Sequence, residues 1–202
     1  MTPIPTVHVV DDDAEVRKAL AFLLASRGLA ASLYDSGEAF LSAWNGDLRG
    51  CVLTDVRMGG ISGLELFDRL TALGSRLPCI VLTGHGDVPM AVEALKKGVT
   101  DFVEKPFDGN ALVDKLVAAI AKDGEEAAAA ALRKSISDRL ATLSEREQAV
   151  MRLLLAGKLN KVIADELGIA MRTVEVHRAR IFEKMCVKSA VELSSLLAGH
   201  SR

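Results

Sequence analysis

Six polar residues in this sequence each stand at the end of a short apolar run, and together they could do chemistry. Asp11, Asp12 and Asp13 follow one run, Asp55 follows another, Thr83 closes a third and Lys105 lies just past a fourth. Carboxylates brought close together repel strongly unless a cation neutralises them. Oxygen donors without His or Cys favour Mg²⁺, a hard ion that keeps waters and pairs with phosphate oxygens. Lys105 adds a mobile point charge able to balance an incoming phosphoryl group. The chemistry indicated is phosphoryl transfer to a carboxylate, with Asp55 as the nucleophile. Taken singly, an Asp at a strand end is a turn former or helix cap, Thr83 a packing residue and Lys105 a solvated charge. Their coincidence at four strand ends is what argues for a site.

The elements that must position them follow from hydrophobic periodicity. Short runs rich in Val, Ile and Leu at Thr6–Val10, Ala30–Tyr34, Cys51–Thr54, Cys79–Thr83 and Asp101–Glu104 predict strands, and several of them lack in/out alternation, as strands covered on both faces do. Helix-period segments lie between and after them, at Ala14–Ser26, Gly37–Trp44, Gly63–Ala72, Val88–Lys97 and Asn110–Ala121. Strands alternating with helices predict repeated βαβ units and a five-stranded, doubly wound parallel sheet, flavodoxin-like in class. Ligands bind such sheets at the carboxyl ends of the strands, where the polar residues stand.

Residues 123–138 read as a helical linker, with glutamates followed by five alanines. From residue 139 the strands stop, and a small all-α domain is expected. Ser144-x-x-Glu147 is a capping box opening a helix to Leu155. Asn160 is expected to cap a helix to Leu167, with Gly168 as its left-handed exit. A third helix spans about Met171 to Met185, and Ser189-x-x-Glu192 opens a last one. This pattern is that of a helix-turn-helix. The expected boundaries are 1–122, 123–138 and 139–202.

At 202 residues and half hydrophobic, the chain is long enough to bury its cores without staples. The net charge of −2 hides an asymmetry. Residues 1–122 carry 12 Lys/Arg against 16 Asp/Glu, and residues 139–202 carry 11 against 7. Cys51, Cys79 and Cys186 are odd in number, which suits a reducing compartment and buried thiols rather than a disulfide framework. The start of the sequence has no basic flank and apolar run, and no stretch approaches the ~18 apolar residues of a membrane span. A cytoplasmic protein with no membrane contact is therefore expected. Gly84-His85-Gly86 lacks the third glycine of a dinucleotide loop, no Walker lysine is present, and the histidines have no zinc-ligand spacing.

Residues 1–122 resemble a response-regulator receiver domain. The likeness lies in the acidic pair after strand one, Asp55 in TDVRM, Thr83 in VLTGHG and Lys105 in EKPF, and GHGDVPMAVEALKKG is especially similar to FixJ-type regulators. The resemblance implies that Asp55 is the phosphoacceptor. Asp12, Asp55 and the carbonyl of Arg57 would hold Mg²⁺, with Asp11 acting largely through water. Thr83 would bond the phosphoryl oxygens, Phe102 would turn with it as the aromatic switch, and the Lys105–Pro106 bond would be cis. Gly59 stands where the family pattern usually has proline, and Gly60 follows, which loosens the loop lining the site.

Leu143–Leu197 resembles a LuxR-type helix-turn-helix through LSEREQAVMRLLLAG, NKVIADELGI and RTVEVHRARIFEKM. With Val174 facing the core, a 100° step turns Ile181 and Met185 inward as well. The opposite face carries Arg172, Glu175, Val176, Ala179, Arg180 and Glu183 toward a major groove, with Thr173 a further candidate DNA contact. Glu175 could accept from a cytosine amine, Val176 touch a thymine methyl, and Arg172 or Arg180 reach guanine or phosphate. Lys158, Lys161, His177 and Arg178 are placed as backbone contacts. Ala170-Met171 replaces the family's frequent Ser-Pro, removing a cap from this helix.

The resemblances imply a transcription regulator rather than an enzyme, phosphorylated by a sensor histidine kinase and bound to double-stranded DNA. Dimerisation through Val88–Lys97 and strand five is implied, and RNA polymerase is a further candidate partner. A Mg²⁺-dependent phosphohydrolase would use the same carboxylates, but the sequence supplies no substrate pocket or general base for one. A scaffold that is never phosphorylated would leave the intact acidic set without a use.

Overall fold

The computed structural model describes residues 4–84 and 94–200, with only the backbone of His200. Two compact units emerge, Met1–Ala127 and Ala128–Arg202.

The first unit carries five parallel strands: β1 (Thr6–Val10), β2 (Ala30–Tyr34), β3 (Gly50–Asp55), β4 (Cys79–Thr83) and β5 (Asp101–Glu104), in the order β2-β1-β3-β4-β5. The order reverses between β1 and β3, which is where a doubly wound sheet opens a crevice for ligands. Register sets Val10 opposite Thr54, Asp55 opposite Leu82 and Thr83 opposite Glu104, so the strand ends that carry the polar residues are aligned. Helices α1 (Ala14–Ser26), α2 (Gly37–Ala43) and α3 (Gly63–Ala72) begin at side-chain caps from Asp13, Ser36 and Ser62.

The expected burial on both faces holds for the central strands, whose residues alternate between two cores. Val52, Cys79 and Val81 pack with Phe40, Leu66 and Leu70 from α2 and α3. Cys51, Leu53, Ile80 and Leu82 pack with Leu20 and Leu24 from α1 and with Leu112 and Leu116 further along the chain. Burial pushes the Cys51 and Cys79 thiols up to about 12, so both behave as small hydrophobes.

The helix expected over Asn110–Ala121 and the helical linker expected over 123–138 are both helical and form one unbroken helix, α4 (Gly109–Ala141). Gly124 costs only about 1 kcal/mol relative to alanine in a helix interior, and the alanines and glutamates after it favour continuation. The expected helix at Val88–Lys97 falls mostly outside the described residues, of which 94–97 are helical.

The second unit packs the end of α4 with α5 (Glu145–Leu155), α6 (Asn160–Leu167), α7 (Met171–Met185) and α8 (Ala190–His200). Ile136, Leu143, Val150, Ile163, Val174, Ile181, Met185 and Leu193 form its core. The expected inward trio of α7 is fully buried. The Ser144–Glu147 capping box forms in both directions. Asn160 does not cap: the helix starts one residue earlier than a cap at Asn160 requires, so Leu159 holds that position without a side-chain bond, and the Asn160 amide oxygen accepts from Arg178. Cys186, expected to be buried, is exposed and ends α7 in the left-handed region at φ 54°.

Candidate functional site

Asp11 leaves β1 almost fully buried, and its Oδ1 accepts the Asp13 N–H at 2.8 Å. The Arg17 guanidinium of α1 donates to the Asp11 carbonyl at 2.7 Å, fixing this turn from the helix side. Asp55 ends β3, and its Oδ1 accepts the Arg57 N–H at 3.1 Å. Its Oδ2 meets the Lys105 ammonium, which also reaches Asp11 Oδ2 at 3.4 Å. Lys105 in turn is tied to β4, since its N–H donates to the Thr83 carbonyl at 2.7 Å. The Lys105–Pro106 bond is cis.

The electrostatics follow from that packing. Burial pushes the Asp11 carboxyl above its usual range, aided by the Asp55 charge and opposed by the Asp13 N–H and Lys105. Burial works to lower the Lys105 ammonium, but its bond to Asp55 and the charges of Asp55 and Asp11 together hold it above its ordinary value. Asp12 is exposed and turned toward the loop after β3, where its Oδ2 accepts the Gly59 N–H at 2.8 Å. Gly63 closes this loop so tightly that a Cβ there would lie 2.2 Å from the Asp55 carbonyl oxygen.

The structure thus brings Asp11, Asp55 and Lys105 into direct contact and joins Asp12 to the same loop. Thr83 is buried at the end of the neighbouring strand. Phe102 is half-buried on β5 opposite Val81 and belongs to neither sheet core. Among the described residues, no three His, Cys, Asp or Glu side chains gather at metal-ligand spacing.

In the second unit, Arg172, Thr173, Glu175, Val176, Ala179 and Arg180 form the exposed face of α7. Lys161 is exposed, while Lys158 pairs with Glu166 at 2.5 Å. Arg178 is half-buried, donating to Asn160 Oδ1 at 2.5 Å with its guanidinium 5.7 Å from the centroid of the Phe182 ring. His177 is also half-buried, with Nδ1 unpartnered. Ala170, at the start of α7, offers no side-chain cap. Glu147 closes the base of the unit: its bond to Lys184 at 2.7 Å, with the Ser144 N–H, holds its carboxyl below the usual range.

Comparison with known proteins identifies both units. Residues 7–117 match the response regulator receiver domain, and residues 141–197 match the bacterial regulatory proteins of the luxR family. The transcriptional regulatory protein FixJ of Azorhizobium caulinodans is 50% identical over 96% of this chain and 92% of its own. The chain belongs to the FixJ-type response regulators. The C4-dicarboxylate transport transcriptional regulatory protein DctR of Rhodobacter capsulatus is 48% identical over 95% of this regulator and 98% of its own length. Among solved structures, the response regulator StyR superposes with a TM-score of 0.92 at 40% identity, covering 97% of this chain and 99% of its own. Full-length FixJ from B. japonicum gives a TM-score of 0.62 at 44% identity, covering 99% and 98%.

The regulator is therefore a two-component transcription factor with a receiver and a LuxR-type DNA-binding domain. Among the described residues, none of its helices is long and apolar enough to cross a membrane. Sequence reasoning missed Arg17 and Glu38, whose carboxylate accepts the Ile61 N–H in the loop after Asp55. Neither contact has a local sequence signal, since one is made to a backbone carbonyl and the other crosses from α2 to a loop 23 residues on.

Proposed function

We propose that Asp55 is the phosphoacceptor and that its modification controls DNA binding by the C-terminal domain. The observation that carries this reading is the Lys105 ammonium held between Asp55 and Asp11 at the carboxyl end of the sheet. A sensor histidine kinase is the donor: an Asp55 carboxylate oxygen bonds to phosphorus as the phosphorus–nitrogen bond of a phosphohistidine breaks. Lys105 pairs with the added negative charge, the Arg57 N–H stays directed at the Asp55 carboxylate, and the Thr83 hydroxyl is the acceptor's partner on β4. Phe102, half-buried on β5, turns as Thr83 engages.

Mg²⁺ fits the charge and donor set. Asp11 and Asp55 share one ammonium and Asp12 is bonded to the loop after Asp55, so three carboxylates are matched by a single cation and every donor is oxygen. Asp12, Asp55 and the Arg57 carbonyl would hold it, with Asp11 acting through water, and it would supply charge neutralisation for the phosphoryl group.

On DNA, Arg172, Thr173, Glu175, Val176, Ala179 and Arg180 face the major groove, while Lys158, Lys161, His177 and Arg178 line the backbone side. Phosphorylation pairs two copies to match two half-sites, in the cytoplasm, with RNA polymerase as a downstream partner. The functional boundaries are 1–122 for the receiver, 123–138 for the linker and 139–202 for the DNA-binding domain. The test is Mg²⁺-dependent labelling of the full chain by acetyl phosphate. Labelling lost in Asp55→Asn is the expected result, and labelling that survives the substitution removes the assignment.

A further inference from the structure

The loop that follows Asp55 has two successive glycines, Gly59 and Gly60, and no proline to fix its course. It nevertheless carries two amides aimed at the acidic site, the Arg57 N–H on Asp55 and the Gly59 N–H on Asp12. Something outside the loop must hold it.

The first turn of α2 is shaped to do so. Glu38 Oε1 accepts the Ile61 N–H at 3.1 Å. Gly60 sits at φ 94°, and a Cβ there would lie 2.7 Å from Oε1 and 3.1 Å from Oε2, so the carboxylate rests directly against the glycine. The Ile61 side chain is only 6% exposed and packs in the core over Gly37, where a Cβ would come within 2.5 Å of Ile61 Cγ1. Ser36 caps the helix, and fully buried Phe40 anchors it to the sheet. The seat is therefore fixed while the loop, by composition, is not.

We propose that Glu38 is a positioning residue of the phosphoacceptor site, clamping residues 60–61 so that the Arg57 and Gly59 amides stay aligned on Asp55 and Asp12. The proposal rests on the reading of Asp55 as phosphoacceptor. Glu38 touches no reacting atom. It acts by raising the fraction of time the loop is correctly placed, and misplacement of such groups by an ångström slows reactions steeply.

The test measures the rate of Asp55 labelling by acetyl phosphate across a Mg²⁺ series, with amide exchange at Ile61, in the full chain. Glu38→Ala is expected to label roughly tenfold more slowly and to exchange the Ile61 amide faster. Glu38→Gln keeps an oxygen able to accept the same N–H, and stays within about twofold of the unsubstituted chain. All rates are taken well below each variant's melting temperature. A Glu38→Ala rate equal to that of the unsubstituted chain, with only the melting temperature lowered, shows a merely structural role and overturns the proposal. A Glu38→Gln rate as slow as Glu38→Ala overturns it too, because charge and not the Ile61 bond would then matter. Failure of the unsubstituted chain to label at Asp55 overturns the underlying reading whatever Glu38 does.

Discussion

Two carboxylates this close are tolerated because a single ammonium lies against both. Lys105 reaches Asp11 and Asp55 together, and Asp11 is the more deeply buried of the pair. In the middle of β1 a second polar group is less well served. His8 on β1 is 3% exposed, packs against Tyr34 and Phe40, and has an unpartnered Nδ1, while Nε2 faces the Arg49 carbonyl at 3.3 Å. Burial lowers its pKa from 6.5, against the Arg49 carbonyl and the Asp123 charge. The unfolded chain therefore binds a proton more readily, so stability is full above the ordinary histidine value and is lost as pH falls from there toward the folded value. The urea midpoint of the receiver, followed through Trp44, the single tryptophan, should fall between about pH 7 and pH 5. His8→Phe should flatten that fall; an unchanged slope assigns it to other groups.

At the scale of elements, the first unit and the helix-turn-helix differ in how their helices start. Asp13, Ser36, Ser62 and Ser144 cap α1, α2, α3 and α5, whereas α6 and α7 begin at Leu159 and Ala170 with no side-chain bond. Ala170 already has the extended backbone of a cap residue, at φ −67° and ψ 146°. Ala170→Ser should stabilise the domain by about 1 kcal/mol, read as a higher urea midpoint by helical circular dichroism. A midpoint that stays or falls means the α7 start is already satisfied. On the exposed face of α7, Glu175→Ala should change sequence preference more than affinity. Lys161→Ala should weaken binding to every sequence and reduce its salt dependence, measured by titrating labelled duplexes at several salt concentrations. Equal effects of both substitutions on all duplexes would contradict this division of roles.

The same elements show what the sequence made legible. The strands lie within a residue of their expected bounds because short apolar runs leave little ambiguity, most of all in β1, β3 and β4, while the outer strands β2 and β5 are only partly buried. Asp11 and Asp55 stand at strand ends, and Lys105 just past one, for that reason. The helical character of 123–138 is legible in its alanines and glutamates, but its fusion with the preceding helix into a single α4 is not. Asn160 reads as a cap from its residue type alone, but the helix begins one residue sooner, with Asn160 inside its first turn. Glu38 was invisible for the same kind of reason: a glutamate in a first turn has a local explanation in the helix dipole, and its bond to Ile61 exists only once the chain is folded.

At the scale of the whole molecule, the acidic receiver and the basic helix-turn-helix explain why a near-neutral chain can serve both a phosphoryl site and DNA. A phosphorylated carboxylate can shift an equilibrium only as far as it binds one conformer better than another, so the coupling must be measurable as a ratio of DNA affinities. The decisive measurement is the affinity of the full chain for genomic DNA it selects, with and without acetyl phosphate and Mg²⁺, compared with Asp55→Asn. Tighter binding on phosphorylation that disappears in Asp55→Asn is the predicted result. Affinity that ignores acetyl phosphate, or that rises equally in Asp55→Asn, would contradict control through Asp55.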